Sequence, residues 1–77
     1  MSAQNTSECL IDFGKWIKEG RERRGMLQSE VVEQLGITQS YYSMIENGQR
    51  GVDLQLAIQI CKILRLDIGA FVAKYIK

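Results

Sequence analysis

Gln39, Ser40, Ser43 and Met44 fall on what would be the outward face of one short helix, and none of them is charged. A glutamine amide offers a donor and an acceptor side by side, which matches the N6 and N7 edge of adenine, and a serine hydroxyl bonds either way. A helix entering the major groove of duplex DNA needs such groups near its N-terminus, where the helix dipole also favours phosphate. Between Gln28 and Ile45 the only acids are Glu30 and Glu33, which fall on a different, earlier helix. The competing reading is a merely solvated face.

Catalysis has less to work with. There is no His, the only cysteines are Cys9 and Cys61, and the carboxylates are scattered along the chain. That leaves no metal-ligand cluster and no nucleophile beside a base, so neither an enzyme nor a cofactor is expected. With no secretory signal in the sequence, both cysteines are expected as thiols, Cys61 in the core, with a single Cys9–Cys61 bridge as the alternative. No apolar run approaches the roughly 20 residues that cross a bilayer, and Met1 to Ser7 is polar and uncharged, so a cytoplasmic address is expected. Hydrophobic residues make up 45% of the 77 and charged ones 25%, enough for one core and too apolar for disorder. The net charge of +1 is too small to argue for nucleic acid by itself, so the argument rests on where the charges sit.

The elements that would hold this face follow from apolar spacing and glycines. Pro is absent, and Gly25, Gly36, Gly48 and Gly51 each separate two periodic segments. Residues 1–7 read as a flexible N-terminal tail in which Asn5 or Ser7 could cap a first helix from about Glu8 to Arg24. Its apolar face would be Leu10, Phe13, Trp16, Ile17 and Gly20. A second helix over Gln28–Leu35 would bury Val31, Val32 and Leu35 and end at Gly36, which can turn left-handed. Thr38 would then cap a third helix from Gln39 to about Asn47, with Tyr42 and Ile45 inward. Asp53 and Asp67 would cap two more, the fourth with Leu54, Ala57, Ile58, Cys61 and Leu64 on one face and the fifth with Ile68, Phe71, Val72, Tyr75 and Ile76. Strand-like alternation is missing, and the links are short, so the expected class is all-α: a compact five-helix domain over residues 8–77.

A short helix, a tight turn at Gly36-Ile37 and a second short helix make a helix-turn-helix. Together with Phe13-Gly14, Ile17, Arg21, Gly25-Met26, Val31-Val32, Gln39-Ser40-Tyr41-Tyr42-Ser43, Ile45-Glu46-Asn47-Gly48, Arg50, Leu54, Leu64 and Phe71, that segment resembles the lambda-repressor-like (Cro/C1, XRE-type) DNA-binding domains. The resemblance runs from Phe13 to Phe71, and Ile45-Glu46-Asn47-Gly48 followed by Arg50 is its most diagnostic piece. It implies that Gln39, Ser40, Ser43 and Met44 face bases, that Tyr41 reaches a base or the backbone, and that Gln28 touches phosphate and braces Gln39. Thr38, Asn47, Gly48 and Arg50 would lie against phosphate, and Glu46 would turn inward to an ion pair with Arg21.

Three departures stand out: Leu27 occupies the usual Ser or Thr cap of the second helix, Gly20 replaces an aliphatic residue whose space Trp16 would fill, and Val52 replaces a frequent Pro. The expected function is a sequence-specific transcriptional regulator, a repressor, that binds double-stranded DNA on a palindromic operator as a homodimer. Phe71, Val72, Tyr75 and Ile76 are the interface candidates unless they close the core. The alternative is a protein-interaction module of the same fold, such as an antitoxin or a partner-binding regulator.

Overall fold

A computed structural model of the chain describes residues 3–75, with side chains from residue 8 onward. The elements are α1 (Ala3–Arg23), α2 (Gln28–Leu35), α3 (Gln39–Glu46), α4 (Leu54–Leu64) and α5 (Ile68–Val72), followed by a 3-10 turn over Ala73–Tyr75. Among the described residues there is no strand, and no helix is long and apolar enough to cross a membrane. α1 begins at Ala3 rather than near Glu8, so helix occupies most of the segment read as a tail, and Asn5 and Ser7 lie inside it instead of capping it.

One core joins the five helices. Phe13 and Ile17 of α1 meet Val31 of α2, Tyr42 and Ile45 of α3, Ala57, Ile60, Cys61 and Leu64 of α4 and Phe71 of α5. Phe71 is seated edge-on to Phe13, with ring centroids 5.4 Å apart, and stacked on Trp16 at 5.1 Å, which fastens α5 to α1. Both cysteines are free, Cys61 buried and Cys9 partly so.

Several elements differ from the sequence reading, each for a local reason. On α4 the buried positions are Ala57, Ile60, Cys61 and Leu64, while Leu54 is 71% and Ile58 41% exposed. Ile58 is turned about 100° from Ala57 around the helix, off the buried stripe. The space left by Gly20 is filled by Leu66 and not by Trp16: a Cβ at Gly20 would stand 2.8 Å from Leu66 Cδ1. α4 is ended by Arg65 in the left-handed conformation (φ 58°), with the Leu66 amide donating to the Cys61 carbonyl at 2.8 Å. The stripe expected along a single fifth helix tightens into the 3-10 turn after Val72, and Ile76 lies outside the described residues.

What sets the pose of α3 is Gly14. A Cβ there would stand 2.5 Å from the Glu46 carbonyl oxygen and closer still to that of Ile45, so α1 and α3 touch backbone to backbone only because Gly14 has no side chain.

Candidate nucleic-acid interface

α2 and α3 are joined through Gly36, which caps α2 at φ 75° with its amide donating to the Val32 carbonyl at 3.0 Å. Thr38 follows in extended conformation, and its hydroxyl accepts from the Tyr41 amide at 3.0 Å. This satisfies one of the amides that every helix start leaves unpaired. At α2 the corresponding bond is half made. The Leu27 amide donates to Glu30 Oε1 at 2.7 Å, but leucine has no oxygen to accept in return.

Glu46 at the end of α3 is buried and paired. Arg21 Nε donates to Glu46 Oε2 at 2.7 Å and Arg21 Nη2 to Oε1 at 3.0 Å, a two-bond fork, while Arg21 Nη1 donates to the Met26 carbonyl at 2.8 Å. Burial alone would raise the Glu46 pKa. The bonds from Arg21 and Gln28 outweigh it and hold the carboxyl below its ordinary value, while the bond to Glu46 holds Arg21 above its own. Tyr42 lies against this pair wholly buried, and its hydroxyl has no hydrogen-bond partner. Burial, followed by the close approach of the Glu46 carboxylate, pushes that hydroxyl far above the usual tyrosine range.

From the ion pair a line of bonds leads to the surface. Gln28 Nε2 donates to Glu46 Oε1 at 3.0 Å, and Gln39 Nε2 donates to Gln28 Oε1 at 3.4 Å. A carboxylate accepts only, so Glu46 fixes which end of the Gln28 amide faces it. Gln28 in turn presents an oxygen to Gln39. Gln39 keeps its own oxygen and a second N–H free of these bonds. Gln39 and Ser40 are exposed, Ser43 and Met44 half-buried.

Beyond α3 the chain folds back on itself. The Asn47, Gly48 and Gln49 amides donate to the carbonyls of Ser43, Ile45 and Met44 at 3.0, 3.1 and 2.8 Å. The Gly48 amide is therefore committed to the helix end, and what this residue supplies is shape: φ of 75° and room for Ile11, whose Cα would be 2.9 Å from a Cβ. Tyr41 is turned toward this loop. Its hydroxyl donates to the Gly51 carbonyl at 3.4 Å, and the Arg50 guanidinium carbon sits 5.3 Å from its ring centroid.

The C-terminal candidates separate. Phe71 is buried in the core and is not a surface residue, a correction to its reading as an interface residue that follows from its stacking on Trp16. Val72 and Tyr75 are exposed at 38% and 39%, and the Tyr75 hydroxyl donates to Asp12 Oδ2 at 2.6 Å. Neither that last bond nor the Met26 carbonyl as a third anchor for Arg21 is announced by residue types or spacing. The mid-helix Gly14 did carry a signal, since glycine inside a helix costs about 1 kcal/mol relative to alanine and calls for a packing reason.

Two short helices set across a glycine turn, the second capped and exposed at its start, define a helix-turn-helix protein. Residues 17–71 match the model of the helix-turn-helix family, and the chain belongs to that family, in its Cro/C1 (XRE) type. It is 38% identical over 57 residues to the uncharacterised HTH-type transcriptional regulator YqaF of Bacillus subtilis (strain 168), an alignment covering 74% of this chain and 75% of that protein. No solved structure matches the chain.

Proposed function

We propose that the protein is a sequence-specific regulator of transcription, a repressor, that inserts the start of α3 into the major groove of duplex DNA. One observation carries the reading: Gln39 stands exposed on the first turn of α3, its amide oriented through Gln28 by the buried Arg21–Glu46 pair. With one N–H on Gln28, Gln39 keeps the donor and acceptor that adenine requires. Ser40, Ser43 and Met44 complete the base-facing side. Gln28, Thr38, Asn47 and Arg50 meet phosphates, with Gly48 shaping the loop that brings Asn47 and Arg50 there. The net charge of +1 and the single small domain suit binding as a homodimer on a palindromic site, with Val72 and Tyr75 at the contact.

The test is a salt-titrated gel shift on random and in vitro selected duplexes. DNA reading gives an affinity that falls with salt and a preferred sequence. Gln39→Ala should relax the preference at one base position by about 1–3 kcal/mol, whereas Arg50→Ala should weaken all sequences alike. An unchanged sequence preference in Gln39→Ala would remove Gln39 from the reading set. A salt-independent affinity would remove DNA as the ligand and leave a protein partner as the occupant of this fold.

A further inference from the structure

We infer that Tyr41 is a positioning residue for Arg50, not a reader of bases. The inference rests on the DNA-binding reading above and assigns one residue of that surface a different task. Tyr41 is held at both ends: its amide by the Thr38 hydroxyl at 3.0 Å, its own hydroxyl by the Gly51 carbonyl at 3.4 Å. To reach a base the ring would have to leave the loop that follows α3. Arg50 is exposed, and among the described residues the ion pair recorded is Arg21–Glu46, so no carboxylate holds the Arg50 guanidinium. The Tyr41 ring is what it lies over, at 5.3 Å.

An arginine free in solvent gives up rotamer freedom when it binds phosphate. One already laid on an aromatic face gives up less. A ring face neutralises no part of the cation, so the guanidinium stays available to an anion at its edge. Tyr41 thus ties the loop cation to α3, and a shift of the reading helix carries its phosphate contact along.

The test is a double-mutant cycle in duplex binding across a salt series, with thermal melts of each variant to confirm folding. Arg50→Ala should lower the salt slope by about one. Tyr41→Leu, which keeps the half-buried packing but has no ring face, should bind all duplexes about two- to fivefold more weakly with the base preference intact. Tyr41→Phe should restore most of that loss. In the Arg50→Ala background Tyr41→Leu should have no further effect. A base preference altered by Tyr41→Leu overturns the assignment, as does a loss in the double variant equal to the product of the two single losses; either leaves DNA binding itself standing. Failure of the unmodified protein to bind any duplex overturns both.

Discussion

At the scale of single residues the site depends on a charge kept away from water. Glu46 accepts from Arg21 and Gln28, and Arg21 is itself mostly buried, so removing one partner leaves the other charge without compensation. Glu46→Ala is expected to cost about 3–5 kcal/mol of stability in urea unfolding, and a loss under 1 kcal/mol would mean that water reaches the pair. Tyr42, a few atoms away, is the opposite case. Its hydroxyl is buried without a partner, so Tyr42→Phe removes a polar atom that gains nothing from folding. That variant should be neutral or more stable by up to about 1 kcal/mol, and a marked loss would reveal a bond from this hydroxyl to Glu46. The difference shows what the sequence made legible. The inward Glu46 and its arginine could be named because their types and spacing match a family pattern, and the inward Tyr42 because its spacing does. That the Tyr42 hydroxyl would go unpaired depends on fractions of an ångström between α1 and α3, which no periodicity records.

At the scale of elements, the helices and their order were readable because apolar spacing, caps and glycines agreed, as at Gly36 and Thr38. Misreadings arose where a tertiary neighbour overrode the local signal. Arg65, with a side chain that disfavours the left-handed region, ends α4 there because Leu66 must turn in to fill the hollow over Gly20. Ile58 is apolar and exposed because the buried face of α4 is centred elsewhere. The N-terminal extension of α1 to Ala3 had no apolar stripe to announce it. Two substitutions test the elements directly. Leu27 is 64% exposed at the start of α2 with extended backbone, the geometry in which serine caps well, so Leu27→Ser should raise stability by about 1 kcal/mol. Gly14→Ala and Gly20→Ala make the same chemical change in the same helix with different results. At Gly14 the new methyl meets backbone carbonyls that cannot move unless α3 does, and a loss of about 1–3 kcal/mol is expected. At Gly20 it meets the end of the flexible Leu66 side chain, and the gain in helix propensity, about 1 kcal/mol, offsets most of the crowding. Equal melting temperatures for the two variants would show that α1 and α3 are not in backbone contact.

At the scale of the whole molecule, the titratable groups that folding perturbs define a stability profile in pH with two edges and a flat middle. Nothing in the chain is histidine, so no side chain with an ordinary pKa near neutrality changes charge there. On the acid side Glu46 holds its proton less tightly folded than unfolded, so as pH falls the unfolded chain takes up a proton first. Stability therefore rises with pH in this region, is complete above the ordinary glutamate value of about 4.3, and is lost as pH drops through the lower folded value. The alkaline edge has the opposite sign. Burial, helped by Asp67, pushes the Cys61 thiol up to about 11, and the bond to Asp12 pushes the Tyr75 hydroxyl up to about 12. Both keep their protons in the folded chain after the unfolded chain has released them, as does the buried Tyr42 hydroxyl. Their contribution is complete below the ordinary thiol and phenol values and disappears as pH climbs through the folded ones. Urea midpoints measured from about pH 2 to 11 should trace a plateau between about 5 and 8, with a decline on either side. Glu46→Gln should flatten the acid limb, and Cys61→Ala should lower the plateau while making the alkaline limb shallower. A slope through neutral pH in the unmodified protein would place the controlling proton on a group other than these, and an acid limb that survives Glu46→Gln would shift acid sensitivity from the α1–α3 ion pair to the surface carboxylates.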